Sequence, residues 1–176
     1  MMSILLFLTA AVLTHPFHAT SAEMQWNEQT RCVEVAWRLD MLDERWLKKQ
    51  AERRSGADEL NDDWPIGVLR RRIWFDPKPR KAVGNSVSSS AASGAYESKP
   101  LRWVGQKEEG AYVWWFFEVV CEEAVPPQGV LTTMLFDRDH SYQHRFVILN
   151  DELEEAKRAF DLTKREPRSA IVWEAE

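Results

Sequence analysis

The chain has 176 residues, 44% of them apolar and including nine Trp and eight Phe, which is enough to build one domain core and excludes general disorder. Its 23 basic and 28 acidic residues leave a net charge of −5, which argues against a general nucleic-acid binder, since that requires a broad basic face. Two cysteines and four histidines limit the redox and metal chemistry the chain can carry.

Ile4 to Leu13 is uncharged and apolar but shorter than the ~20 residues a membrane-spanning helix needs. It is read as the core of an export signal, residues 1–14. Two cleavage points fit, one before His15 and one after Ala22 in the small-residue run Thr20-Ser21-Ala22. The mature chain, residues 15–176, is expected to form a single domain, and no second long apolar run predicts a membrane span.

Phe17 to Trp26 and Thr30 to Asp40 predict a hairpin turning at Asn27-Glu28, the second arm alternating at period two. Asp43 is read as the N-cap of a helix with Leu42, Trp46, Leu47 and Ala51 on its apolar face, ended by Ser55-Gly56. After acidic Asp58 to Asp63, a second short helix is expected over Ile66 to Arg72, then a strand Ile73 to Phe75 stopped by Pro77 and Pro79. The Ser-rich stretch 84–98 reads as a flexible loop. Leu101 to Val104 and Ala111 to Cys121 are strands around a Glu109-Gly110 turn. The second carries aromatics on both faces and is expected to be central and buried on both sides, with the helices over one of them; the alternative is an exposed Trp patch at Trp114 or Trp115 that marks a partner or glycan surface.

Val130 to Phe136 and Tyr142 to Leu149 are two more strands, and Phe160 to Trp173 suggests a closing hairpin around Lys164 to Pro167. About seven or eight short strands with a helical insertion over 42–72 predict a mainly β fold, an antiparallel β-sandwich of Ig-like kind.

Several stretches together resemble a known family: His15-Pro16-Phe17-His18, Glu23-Met24-Gln25-Trp26-Asn27, Val33-Glu34-Val35 and Asp40-Met41-Leu42-Asp43. Later matches are Trp103-Val104-Gly105, Val113-Trp114, Glu118-Val119, Leu135-Phe136-Asp137, and His144 before a valine-rich strand. They resemble a family of bacterial exported proteins, domain of unknown function 6702, over most of residues 15–174. The resemblance implies a small extracytoplasmic β domain cut immediately before His15. It carries no catalytic residues, and the chain departs from the family at Gly84 to Gly94, where the family has a tight turn.

The histidines fall into two pairs, His15 with His18 and His140 with His144. With His15 at a free N-terminus, its amine and imidazole could bind copper or zinc alongside the others, although Pro16 supplies no backbone N–H. Cys32 and Cys121 could form one disulfide in an oxidising compartment, but strand parity puts them on opposite faces. Arg70, Arg71, Arg72, Lys78, Arg80 and Lys81 form a basic stretch interleaved with Trp74 and Phe75, able to meet an anionic surface, an envelope polymer or an acidic partner. The alternative partners for this stretch are the chain's own carboxylates.

Catalytic signatures are absent from the sequence. Gly84-Asn85-Ser86-Val87-Ser88 lacks the final Gly of a nucleophile elbow, and Asp137-Arg138-Asp139 lacks the Gly and closing Glu of a calcium loop. The expected role is therefore a non-catalytic binding or accessory module of the cell envelope or periplasm, needing no cofactor. An extracytoplasmic copper or zinc binder is the alternative.

Overall fold

The computed structural model describes residues 18–55, 60–79, 96–149 and 156–173. The leader, His15, Arg80, Lys81 and residues 84–95 of the Ser-rich stretch lie outside them. Among the described residues no helix is long and apolar enough to cross a membrane.

The chain opens with β1 (Ala19–Asn27) and β2 (Cys32–Asp40), an antiparallel hairpin. Asn27 closes the turn as expected, its side-chain carbonyl accepting from Gln29 N–H at 3.0 Å and Thr30 N–H at 3.1 Å. Two helices follow, α1 (Met41–Ser55) and α2 (Trp64–Arg72). Then come β3 (Ile73–Phe75), β4 (Lys78–Pro79), β5 (Tyr96–Glu97), β6 (Leu101–Glu109) and β7 (Tyr112–Val120). The remaining strands are β8 (Gly129–Thr132), β9 (Gln143–Leu149), β10 (Ala156–Thr163) and β11 (Arg168–Ala170).

The fold is mainly β. A six-stranded sheet runs β10-β9-β1-β2-β7-β6, a three-stranded sheet β11-β8-β3, and β4 pairs with β5. The pairing is not antiparallel throughout, because β1 lies parallel to β9 with Ala19 opposite Gln143 and Met24 opposite Ile148. Nor do β10 and β11 form the expected closing hairpin. β10 pairs with β9 and β11 with β8, so the turn between them carries the chain from one sheet to the other.

One face of the large sheet is the core. Val33, Val35, Trp37 and Leu39 of β2 and Val113, Trp115, Phe117 and Val119 of β7 are all buried, the period-two set the sequence displays. Ile73 and Phe75 of β3, Val130 of β8, and Leu47 and Ala51 of α1 belong to the same cluster. The helices therefore cover the Trp115 side of β7. Among the described residues nothing covers both sides in the way its aromatics predict: Trp114, Phe116 and Glu118 stay half-buried on the outer face. There the Trp114 indole N–H donates to Glu109 at 2.9 Å and the Arg38 guanidinium lies 5.8 Å from its ring.

Three local expectations also change. Asp40, not Asp43, caps α1, accepting from Leu42 N–H at 2.7 Å. With the helix starting earlier, its core line is Asp43, Leu47 and Ala51 at four-residue spacing, and Leu42 is left 61% exposed on the flank. Cys32 and Cys121 are free, buried thiols with no disulfide. Cys32 stands opposite Val120 on the outer face, while Cys121 follows β7 on the core side, so the pleat separates the sulfurs. The end of the stretch 84–98 is anchored, with Lys78 paired to Glu97, Pro79 to Tyr96, and the Ser98 hydroxyl accepting from Phe75 N–H at 2.9 Å.

The one-sided burial of β7 has a direct test by urea unfolding. Phe117→Ala, which empties a fully buried site, is expected to cost about 3–5 kcal/mol. Phe116→Ala, next along the strand but on the outer face, is expected to cost about 1 kcal/mol. Equal losses would contradict this placement.

Candidate functional site

His144 is fully buried in β9, boxed by aromatic rings, with Phe136 at 4.9 Å, Trp37 edge-on at 5.8 Å and Tyr142 stacked at 6.1 Å. Its hydrogen bonds fix its tautomer. The Trp37 indole can only donate, so Thr20 Oγ1 accepts from it at 2.8 Å and turns its own hydrogen to His144 Nδ1, also at 2.8 Å. The Met134 carbonyl can only accept, so Nε2 carries the hydrogen and donates to it at 2.7 Å. Burial lowers the ring's pKa to about 4. Both ring nitrogens of His144, named as a metal ligand from the sequence, are thus engaged within the fold as a neutral imidazole.

His18 and His140 stay near the surface. His18 Nε2 is 3.7 Å from Asp139 and its ring lies 5.2 Å from Tyr142. Asp139 is held below the usual carboxylate range by hydrogen bonds from the Ser141 backbone and hydroxyl, then by the charges of His18 and His140. Among the described residues no three His, Cys, Asp or Glu side chains gather to hold a metal ion.

Beside them lies a constellation that sequence reasoning took for a helix cap. Asp43 is 4% exposed in the first turn of α1, and one of its oxygens accepts from both the Tyr142 hydroxyl and the Arg138 guanidinium. Burial raises the Asp43 pKa against these two partners, and burial with the Asp43 bond pushes Tyr142 well above its ordinary value. With its oxygen so enclosed, Asp43 is a structural clamp rather than a base open to substrate. The signal was legible: Asp43 stands four residues before Leu47 and eight before Ala51, on the line that faces the core.

The same turn divides the basic stretch. Asp137 receives two parallel bonds from Arg72, at 2.7 and 2.8 Å, and the guanidinium lies 5.9 Å from the Trp46 ring. Burial would raise the Asp137 pKa, but these bonds and the Arg72 charge outweigh it and hold it low. Consecutive helical residues point ~100° apart, so the three arginines diverge. Arg70 Nη2 donates to the Leu101 carbonyl at 3.0 Å. Lys78 is exposed on β4. Of the expected patch, Arg70, Arg71 and Arg72 point apart, and Arg80 and Lys81 lie outside the described residues.

Arg71 instead enters a cleft of about 670 Å³ between α2 and β6, lined also by Leu60, Asp63, Trp64, Gly67, Arg70, Arg102 and Trp103. Its guanidinium folds back over Gly67, where an added Cβ would lie 3.4 Å from Nη1. Partial burial lowers its pKa, as do the like charges of Arg54 and Arg72. Among the described residues no carboxylate pairs with it. Arg102 borders the cleft from β6, but its guanidinium turns to the outer face of the sheet, where it pairs with Glu118 and lies 4.0 Å from Cys32 Sγ. Trp64 and Trp103 form aromatic walls, both edge-on to buried Trp115 at 5.4 and 6.2 Å. Sequence reasoning missed Arg102, Trp103 and Trp64 here, because only the packing of α2 on β6 brings them to the arginine run.

Two guanidinium groups, those of Arg70 and Arg71, against one lining carboxylate, Asp63, beside aromatic rings offer the donors that an acid group takes. No family model matches the chain, and no curated protein matches it.

His144 fixes a pH dependence that chemical denaturation can follow. The folded ring titrates at about 4 and the unfolded ring near 6.5, so the unfolded chain takes up the proton first as pH falls. This contribution, on the order of 3 kcal/mol, is complete above pH 6.5, declines down to about pH 4 and is flat below. His144→Gln is expected to be less stable at pH 7 and to lose that slope. A variant retaining the wild-type slope would refute the assignment.

Proposed function

We propose that this protein is an exported, non-catalytic binding module of the cell envelope that holds an anionic group in the cleft between α2 and β6. The observation that carries this reading is Arg71, partly buried beside the like charges of Arg54 and Arg72 and without a carboxylate partner among the described residues. Holding positive charges together in a cleft costs stability, and an incoming anion relieves that cost. Export rests on the apolar leader Ile4 to Leu13 and on the resemblance to an exported family of unknown function. A mature start at His15 leaves β1 whole, whereas a cut after Ala22 would divide it, separating Ala22 from Glu23 within the strand. The core shared by the two larger sheets supports a sandwich-like architecture.

Inorganic phosphate is the minimal probe. Wild-type protein in low salt is expected to bind it with millimolar affinity by calorimetry, and bound phosphate raises Tm. Arg71→Gln is expected to weaken binding at least tenfold while leaving Tm without phosphate unchanged or higher, since the change removes only repulsion. Lys78→Gln, outside the cleft, is expected to bind as wild type. Wild-type affinity in Arg71→Gln would overturn the reading. So would an absence of phosphate binding.

A further inference from the structure

Beyond Arg70 the cleft continues into a second basin of about 530 Å³, lined by Arg70, Trp74, Tyr96, Ser98, Lys99 and Leu101 among others. The two basins share Arg70 and Leu101, which are joined by the bond from Arg70 to the Leu101 carbonyl. Their characters differ. The first is strongly basic. In the second, Lys99 is drawn to Asp76 at 3.6 Å and Glu97 lies on the wall, so the surface is nearly neutral, with the Tyr96 ring on its wall, 5.7 Å from Trp74. From Lys99 to Trp103 an extended chain covers at most about 14 Å, longer than a single sugar ring.

We infer that the ligand of this cleft is an anionic oligosaccharide, its acid group at Arg71 and a neighbouring sugar unit in the basin beyond Arg70. The inference rests on the anion-site reading above and adds the class of ligand. An acidic peptide is disfavoured by the wall itself. A bound strand needs free backbone donors and acceptors, and along Lys99 to Leu101, on the wall of the second basin, three of these groups are already engaged. Lys99 N–H donates to Phe75, the Pro100 carbonyl accepts from Val120, the Leu101 carbonyl accepts from Arg70, and Pro100 has no N–H. What the groove still offers is ring faces and guanidinium donors. A sugar chain with an acid substituent uses both, its C–H faces against Trp64, Trp103 and Tyr96 and its acid in the fork of Arg71.

Calorimetry with four probes tests this: inorganic phosphate, galacturonic acid, trigalacturonic acid and hexaglutamate. Phosphate and the monosaccharide are expected to bind similarly, and the trisaccharide at least tenfold more tightly than either. Tyr96→Ala and Lys99→Gln, made separately and checked by Tm, are each expected to lower the ratio of trisaccharide to phosphate affinity at least fivefold. If the trisaccharide binds no better than the monosaccharide while phosphate still depends on Arg71, the glycan inference falls and the anion site stands. Tighter binding of hexaglutamate than of trisaccharide would also overturn it. Failure of wild type to bind phosphate would remove both readings together.

Discussion

A carboxylate buried in the first turn of a helix needs donors brought to it, and the interaction of Asp43 with Tyr142 and Arg138 organises this molecule. Both donors come from the segment between β8 and β9, which binds the start of α1 to the large sheet. The same segment offers Asp137 to Arg72 at the end of α2. One turn therefore holds both helices, and through Arg72 it sets the direction in which Arg70 and Arg71 leave the helix. Removing one member of a buried charged set usually costs more than the set contributes as a whole, because the remaining member is left uncompensated. The cleft thus depends on a carboxylate in another helix.

The two polar systems of the protein have opposite chemistry. Around His144 every donor meets an acceptor in a dry aromatic box, from the Trp37 indole through Thr20 and the imidazole to the Met134 carbonyl. Such a chain rigidifies its surroundings and leaves nothing for a ligand. Around Arg71 like charges gather, and no described carboxylate pairs with its guanidinium. Protein interiors tolerate the first arrangement because it is satisfied, whereas the second persists where it has a use. Two of the histidines that drew attention in the sequence belong to or border the satisfied system, and the arginines to the open one.

Strand periodicity made much of the fold legible. The alternation in Val33 to Leu39 and Val113 to Val119 identifies the core face directly, and Asn27 announces its turn. Which neighbours those strands take was not legible, since the parallel partnership of β1 with β9 joins segments more than a hundred residues apart. The two sides of β7 were misjudged for a related reason: an aromatic side chain is compatible with core and with a half-covered outer face, and Trp114 is accommodated by Glu109 and Arg38. The candidate cleft was legible only as a run of arginines. Its division among Asp137, the Leu101 carbonyl and open space is decided by helix phase against tertiary neighbours, which a linear pattern does not contain.

The placement of β1 also bears on how the chain is made. It is the first described strand in sequence but sits inside the sheet, between β2 and β9, so one of its edges stays open until residues 143–149 exist. During synthesis the hairpin of β1 and β2 is available early, yet its flank waits for nearly the whole polypeptide to emerge. Pairing over such separation is slow, because a long loop must close before the contact is rewarded. For a protein of the exported kind proposed above, that delay keeps the chain pliable until the last strands arrive, so the point at which it can no longer be threaded through a translocation pore is set near its C-terminal end.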